Sequence, residues 1–345
     1  MLIALFFLNL PIMSLESPLE QLEHPPTLSE QKAKLIPFVA LLIALLAIGI
    51  GPIFVRFSIA EIGANATTFN RFWIAGVVFG IWNGVLALRQ DTPEEALLES
   101  KQLYTPKTLV LLLLVGCLFA SIQLFWALSL TQTTVASSVT ILHGLRPLLT
   151  TLGGWILFKK HYDRKFLIGM IIAILGSIFI GYNDFSVSIH KLLGDLLAIL
   201  SALCSALELL IMEHLLTQFK TQTLMLWCCV IASLVMISVL AIVNQNFFPV
   251  SLQGWAAVIA LALLSQVIGH GLIIYSLNYL SSGVVAVSML LDPVISAIFA
   301  WVILREHITI LNGILSCIVL FGIYVSLSSN NAVKINRPIA KVSNT

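Results

Sequence analysis

Three charged side chains stand well inside apolar stretches of this sequence: Arg146, Glu208 and Asp292. Near the centre of a bilayer a charge costs about 2.5–3.5 kcal/mol on insertion scales, so each needs a chemical reason. Arg146 and Asp292 each stand directly before a proline, Pro147 and Pro293. An arginine fork holds a carboxylate or phosphate through two parallel bonds, and an aspartate holds an amine or a proton. Each proline also frees the carbonyl four residues earlier, at His143 and Met289, placing acceptors beside the charges. Two readings of the pair stay open. It is a substrate or proton site, or an ion pair that pins two helices together.

Glu208 closes a stripe of Ser201, Cys204 and Ser205 at helical spacings of three and four. Such a stripe faces a bundle interior or a wet cavity, where the carboxylate exchanges a proton or serves as static glue. His143 and His270 fall near the midplane and either relay protons or bind substrate, or else bridge helices. Gln123, Gln266 and Asn278 read first as bonds between helices. Arg71 lies about a turn from a helix start and is placed to snorkel outward. Glu213, His214 and Glu306 sit at helix ends, as gate or loop contacts. The five cysteines (Cys117, Cys204, Cys228, Cys229, Cys317) lie in apolar blocks without metal-ligand spacing. No metal and no cofactor are expected.

The elements that position these residues follow from composition. Of 345 residues, 59% are hydrophobic and only 10% charged, against roughly 25% charged in soluble chains. A helix crossing about 30 Å of hydrocarbon needs roughly 20 apolar residues. Ten segments qualify: 36–57, 67–88, 108–130, 134–158, 166–183, 192–216, 222–243, 252–277, 283–304 and 308–327. Continuous apolar runs exclude a barrel of alternating strands. Residues 1–35 form a mobile cytoplasmic arm, or translation starts at Met13; residues 329–345 form a polar cytoplasmic tail. Thirteen of the eighteen Lys and Arg fall on one side of this topology and three (Arg56, Lys191, Arg305) on the other. The positive-inside rule puts both termini in the cytoplasm. A net charge of +2 gives no reason to expect nucleic acid.

The chain repeats. At an offset of 146, Arg146, Pro147, Trp155 and His161 fall on Asp292, Pro293, Trp301 and His307. Repeats of five helices each, 36–184 and 190–328, must be inverted relative to one another, which is an architecture of secondary transporters. "IGIGP" (Gly49, Gly51, Pro52) breaks the first helix. Pro52, Pro147 and Pro293 are thus expected as breaks lining a cavity, with Phe54, Phe72, Trp126 and Tyr275 as aromatic lining. Gly76, Gly80 and Gly84 form a small-residue face for helix packing or a homodimer.

Ten helices in two halves, "NRF" with Arg71 and Phe72, the mid-helix prolines, "GDLLAILSALCSALELL" and "REH" with Glu306 resemble the EamA family of the drug/metabolite transporter superfamily. One departure is Lys160, at the position matching Glu306. The resemblance implies an all-α, multi-pass transporter of small metabolites in a bacterial-type inner membrane, often an exporter. It does not imply a substrate.

No HExxH pair, aspartate-rich diphosphate site, nucleophile with its base, or P-loop is present. An enzyme is therefore not expected. The loops hold no receptor domain. The reading is a secondary active carrier moving a small molecule, coupled to protons; the alternatives are a facilitative channel or carrier without coupling, or a membrane-embedded receptor or enzyme that transports nothing.

Overall fold

A computed structural model describes residues 28–88, 104–132, 135–182, 192–243, 247–304 and 310–329. The expected arm up to residue 27, the Arg305–Glu306–His307 sequence and the tail beyond Ser329 lie outside the described residues. The first half comprises α1 (Leu28–Gly49), α2 (Gly51–Ala87), α3 (Pro106–Gln132), α4 (Val135–Phe158) and α5 (Arg164–Tyr182). The second comprises α6 (Leu192–Leu215), α7 (Thr221–Val243) and α8 (Leu252–Ala260), which continues through a π-helical segment (Leu261–His270) into α9 (Gly271–Ser276). Then come α10 (Ser282–Ser288), a 3-10 turn (Met289–Leu291), α11 (Asp292–Leu304) and α12 (Ile310–Leu327).

Local chemistry sets several of these ends. Thr105 Oγ1 accepts from Thr108 N, Asp163 Oδ1 from Phe166 N, and Ser251 Oγ from Gly254 N, each satisfying an amide that the first turn leaves unpaired. At Gly63 the chain takes φ 77°, ψ 172°, which a side chain resists, and the helix turns there. Ser58 and Thr67 hydroxyls meet across that turn at 2.7 Å. The expected break at "IGIGP" appears as a turn at Ile50, with Pro52 in the first turn of α2, where its missing N–H has no partner to lose.

Six segments of the described residues are long and apolar enough to cross a membrane: Ile36–Ala87, Pro106–Ser129, Ile141–Phe158, Leu192–Leu215, Thr221–Val243 and Leu252–Ser276. The first is 52 residues long because the two expected helices run together over Gly63. Ser282–Ile295 and Gly313–Leu327 are shorter apolar helices. Large side chains such as Ile81, Trp155, Leu234 and Tyr324 stand exposed, as suits a lipid-facing surface.

Packing mirrors the repeat. α3 lies along α6 as the π segment and α9 lie along α1, while α2 packs on α7 and α5 on α12. The α5–α12 contact is backbone against backbone. A Cβ at Gly322 would press on Ala173 N and Gly169 O, and one at Gly169 on Ser326 N and Gly322 O. Ser329 Oγ donates to Asp163 Oδ1 at 2.6 Å beside the same seam. The Gly76–Gly80–Gly84 face is looser: a Cβ would stand 3.6 Å from Cys229 Cβ at Gly76 and meet nothing within 4 Å at Gly84.

Candidate functional site

In the middle of the bundle, α3, α4, α6, the π segment, α9 and the 3-10 turn enclose a cavity of about 40 Å³. That is room for a few waters. Arg146, Glu208, His270, Gln123 and Ser205 supply its polar walls, and Phe119 and Met289 part of its apolar ones. Three of the five expected substrate or proton residues thus share one cavity, drawn from both halves. The Glu208 stripe is oriented by Ser201, whose hydroxyl donates to Ile122 O at 2.8 Å, fixing α6 against α3. Cys204 sits at the stripe's half-buried edge.

Arg146 and Asp292 do not meet. The guanidinium is buried, with Nη1 3.3 Å from Met289 Sδ and Nε without a hydrogen-bond partner. Asp292 lies 3.7 Å from His143 Nε2. The second pair therefore stands just off the cavity, and neither member lines it. The Met289 carbonyl, expected to be free because of Pro293, accepts from the Asp292 amide in the 3-10 turn. A three-residue hydrogen bond replaces the four-residue one that the proline removes.

None of the three prolines borders this cavity or the larger one at the Gly63 turn. Pro52 is exposed, Pro147 is buried within an unbroken α4, and Pro293 is the second residue of α11. The break that shapes the site is the π segment, which no proline marks. Its widened turn aims Ser265, Gln266 and His270 at Arg71, a feature common at functional sites. Arg71 Nε donates to Gln266 Oε1 at 2.7 Å, Nη2 donates to Ser265 Oγ at 3.3 Å, and His270 Nδ1 stands 3.2 Å from Nη2. Arg71 is thus an interior residue, 7% exposed, rather than an interfacial anchor. Its helix starts near Gly63, eight residues back, so roughly 12 Å separates it from the helix end.

Arg71 lines a second cavity, of about 220 Å³, at the Gly63 end, with Thr67, Thr68, Gln123 and Trp126. Gln123 borders both cavities. Of the aromatic residues expected in the lining, Trp126 takes that place, while Phe72 is core, packed on Phe119 with centroids 5.2 Å apart. At the Gly63 end Glu61 also receives Val250 N and Ser251 N, each at 2.7 Å.

At the opposite end a set of polar contacts joins three helix ends. Lys159 adopts φ 50° and turns the chain, so that Lys160 N donates to Gly154 O at 3.0 Å. Lys160 Nζ pairs with Glu213 and donates to Ser282 Oγ at 3.1 Å, while Ser282 N donates to Glu213 Oε2 at 3.2 Å. Three helix ends, of α4, α6 and α10, converge on these groups. Tyr162 packs over them, stacked on Phe166 at 5.0 Å, and burial pushes its hydroxyl above the usual range. The sequence flagged Glu213 as a gate or loop contact but left Lys160 unassigned, since nothing local joins positions 53 residues apart.

A solved structure described as "Crystal structure of protein" shares the fold, with a TM-score of 0.68 at 18% identity over 86% of this chain and 97% of that one. No curated protein matches the chain. The model of the EamA-like transporter family matches residues 35–182 and 192–328, so both halves carry its repeat. With interior charges gathered between those halves, the chain belongs to the EamA-like transporter family.

Proposed function

We propose that this protein is a secondary transporter that exports a small metabolite or drug-like compound across the cytoplasmic membrane by alternating access. The observation that carries the reading is the central cavity, where Arg146, Glu208 and His270 converge from both halves while a larger chamber adjoins it at the Gly63 end. The Lys160–Glu213–Ser282 ties close the other side. On the topology set by the basic residues the closed end is cytoplasmic, both termini are cytoplasmic, and the arrangement is the outward-facing half of a cycle. Ten crossings in two inverted repeats fit the packing, in which α3 on α6 mirrors the π segment on α1.

In this reading Glu208 carries a proton in one half of the cycle and Arg146 fixes substrate charge beside it. Coupling to protons is favoured over sodium, because a sodium cage needs several convergent oxygens. The test is flux of candidate metabolites from proteoliposomes under an imposed pH or sodium gradient. Transport that follows the pH gradient supports the reading. Transport that follows sodium overturns the coupling, and equal flux without any gradient-driven accumulation makes the protein a facilitative carrier.

A further inference from the structure

The two cavities are stacked along α3. Phe119, Gln123 and Ala127 follow one another there at spacings of four and so lie along one face of the helix. Phe119 borders the central cavity, Ala127 borders the chamber at the Gly63 turn, and Gln123 borders both. From Phe119 to Ala127 the helix rises about 12 Å, with the Gln123 side chain at the junction. Facing it, the junction is made where the π segment meets α2. Arg71 borders the chamber, His270 borders the central cavity, and Arg71 Nη2 stands 3.2 Å from His270 Nδ1.

The two sides of the junction differ in freedom. Arg71 is held by Gln266 Oε1 at 2.7 Å and Ser265 Oγ at 3.3 Å. His270 is held by Ser265 O at 3.0 Å, and its ring meets Phe119 edge-on with centroids 5.6 Å apart. Gln123 is half-buried, on a helix whose backbone is fixed one residue earlier by the bond from Ser201 Oγ to Ile122 O. A change of rotamer therefore moves its amide across the junction while the helix stays in place. The volumes make that movement matter. The central cavity, about 40 Å³, holds a few waters, and the chamber, about 220 Å³, holds a larger body. Whatever fills the chamber meets Arg146 and Glu208 once the Gln123 side chain swings aside.

We propose that Gln123 is the gate between the chamber and the central cavity, and that the bulk of its side chain sets the size of what reaches Glu208 and Arg146 from the Gly63 end. This rests on the transporter reading above and names a residue that determines its specificity. The amide both donates and accepts, so a water at the junction keeps its hydrogen bonds when the passage is closed to anything wider.

The experiment measures access to a thiol beyond the gate, Ser205→Cys, on the wall of the central cavity. The full chain carries it with its own cysteines replaced, and reagents are added from the Gly63 side of sealed vesicles. Sulfonatoethyl and carboxybenzyl methanethiosulfonate share a reacting group and a negative charge and differ in girth. With Gln123 in place the narrow reagent is expected to react, and the ring-bearing one at least about tenfold more slowly, since a tight passage resists it as a packed core resists extra bulk. Gln123→Ala should raise the ring-bearing rate at least about tenfold and leave the narrow one within about twofold. Gln123→Phe should slow both. Thr68→Cys, on the chamber wall before the gate, is the control, and its rates should not change with either substitution. Equal ring-bearing rates at Ser205→Cys with Gln123 and with Gln123→Ala would overturn the proposal. A parallel rise at Thr68→Cys would overturn it too, because the substitution would then have widened the mouth of the chamber. If Gln123→Phe does not insert, Gln123→Ala alone decides. Failure of the transporter reading looks different: the labelling rates would change as expected while no compound crosses the membrane in proteoliposomes.

Discussion

At the scale of single residues, Glu208 has the most direct consequence. It is buried, on the same cavity as Arg146 and His270, at the end of a stripe pinned to α3 through Ser201. Glu208→Gln keeps shape and hydrogen bonding but cannot carry a proton. We expect it to insert normally and to lose the pH-driven part of flux by at least about tenfold, a general acid–base scale of effect. Flux per inserted molecule, with and without a pH gradient, is the measurement. Arg146 and Asp292 call for a paired test, because the structure holds them apart and gives Asp292 to His143. The swap Arg146→Asp with Asp292→Arg should therefore produce an inserted but inactive protein. Wild-type flux in the swap or in the double alanine would reduce both residues to helix glue. Much of this was legible in the sequence, since charges are rare inside apolar runs and matched across the repeat. Arg71 was misplaced because only the continuation of α2 back to Gly63 puts it two turns inside.

At the scale of elements, the α5–α12 seam makes a sharp contrast with the face of α2. Gly169 and Gly322 bring two backbones into contact, so Gly322→Leu has no room and should destabilise by about 1–3 kcal/mol or more, as overpacking does. Gly84→Ala meets nothing within 4 Å and should stay within about 0.5 kcal/mol of wild type. Thermal unfolding of the two purified variants compares them directly. The sequence offered the Gly76–Gly80–Gly84 pattern and concealed the tighter one, because Gly169 and Gly322 are 153 positions apart and belong to different halves. The π segment was equally hidden. An extra residue in one turn leaves hydropathy unchanged, and only the convergence of Ser265, Gln266 and His270 on Arg71 reveals it. Proline was an uneven guide: Pro147 sits in a continuous helix, whereas Pro52 follows the turn at Ile50 and Pro293 the 3-10 turn at Met289–Leu291.

At the scale of the whole molecule, the two ends differ in kind. One has a chamber beneath the Gly63 turn; the other has Lys160, Glu213 and Ser282 in contact. Lys160→Ala should loosen the closed end. A thiol placed at Ser205, with the chain's own cysteines replaced, should then react with membrane-impermeant reagents from that side, whereas the otherwise unaltered protein reacts only from the Gly63 side. Lys160→Glu with Glu213→Lys should restore protection by remaking the pair. Labelling from the closed side at equal rates in all three would show that the contact closes nothing. The contact depends on Lys160, the position at which the first half departs from the acidic residue of its counterpart, Glu306.

The seam between α5 and α12 also decides where the protein can part. Gly169 lies near the start of α5 and Gly322 near the finish of α12, on the same side of the molecule as Lys160, and Ser329 fastens to Asp163 there as well. Backbones in contact have no side chains to re-pack as they slide, so this edge behaves like the spine of a book. On the alternating-access reading proposed above, release of the ionic contact on Lys160 lets the pages fan away from the spine, separating α6 from α4 and α10. A reporter pair placed across α6 and α10 should therefore lengthen on turnover, while one placed across α5 and α12 should stay fixed.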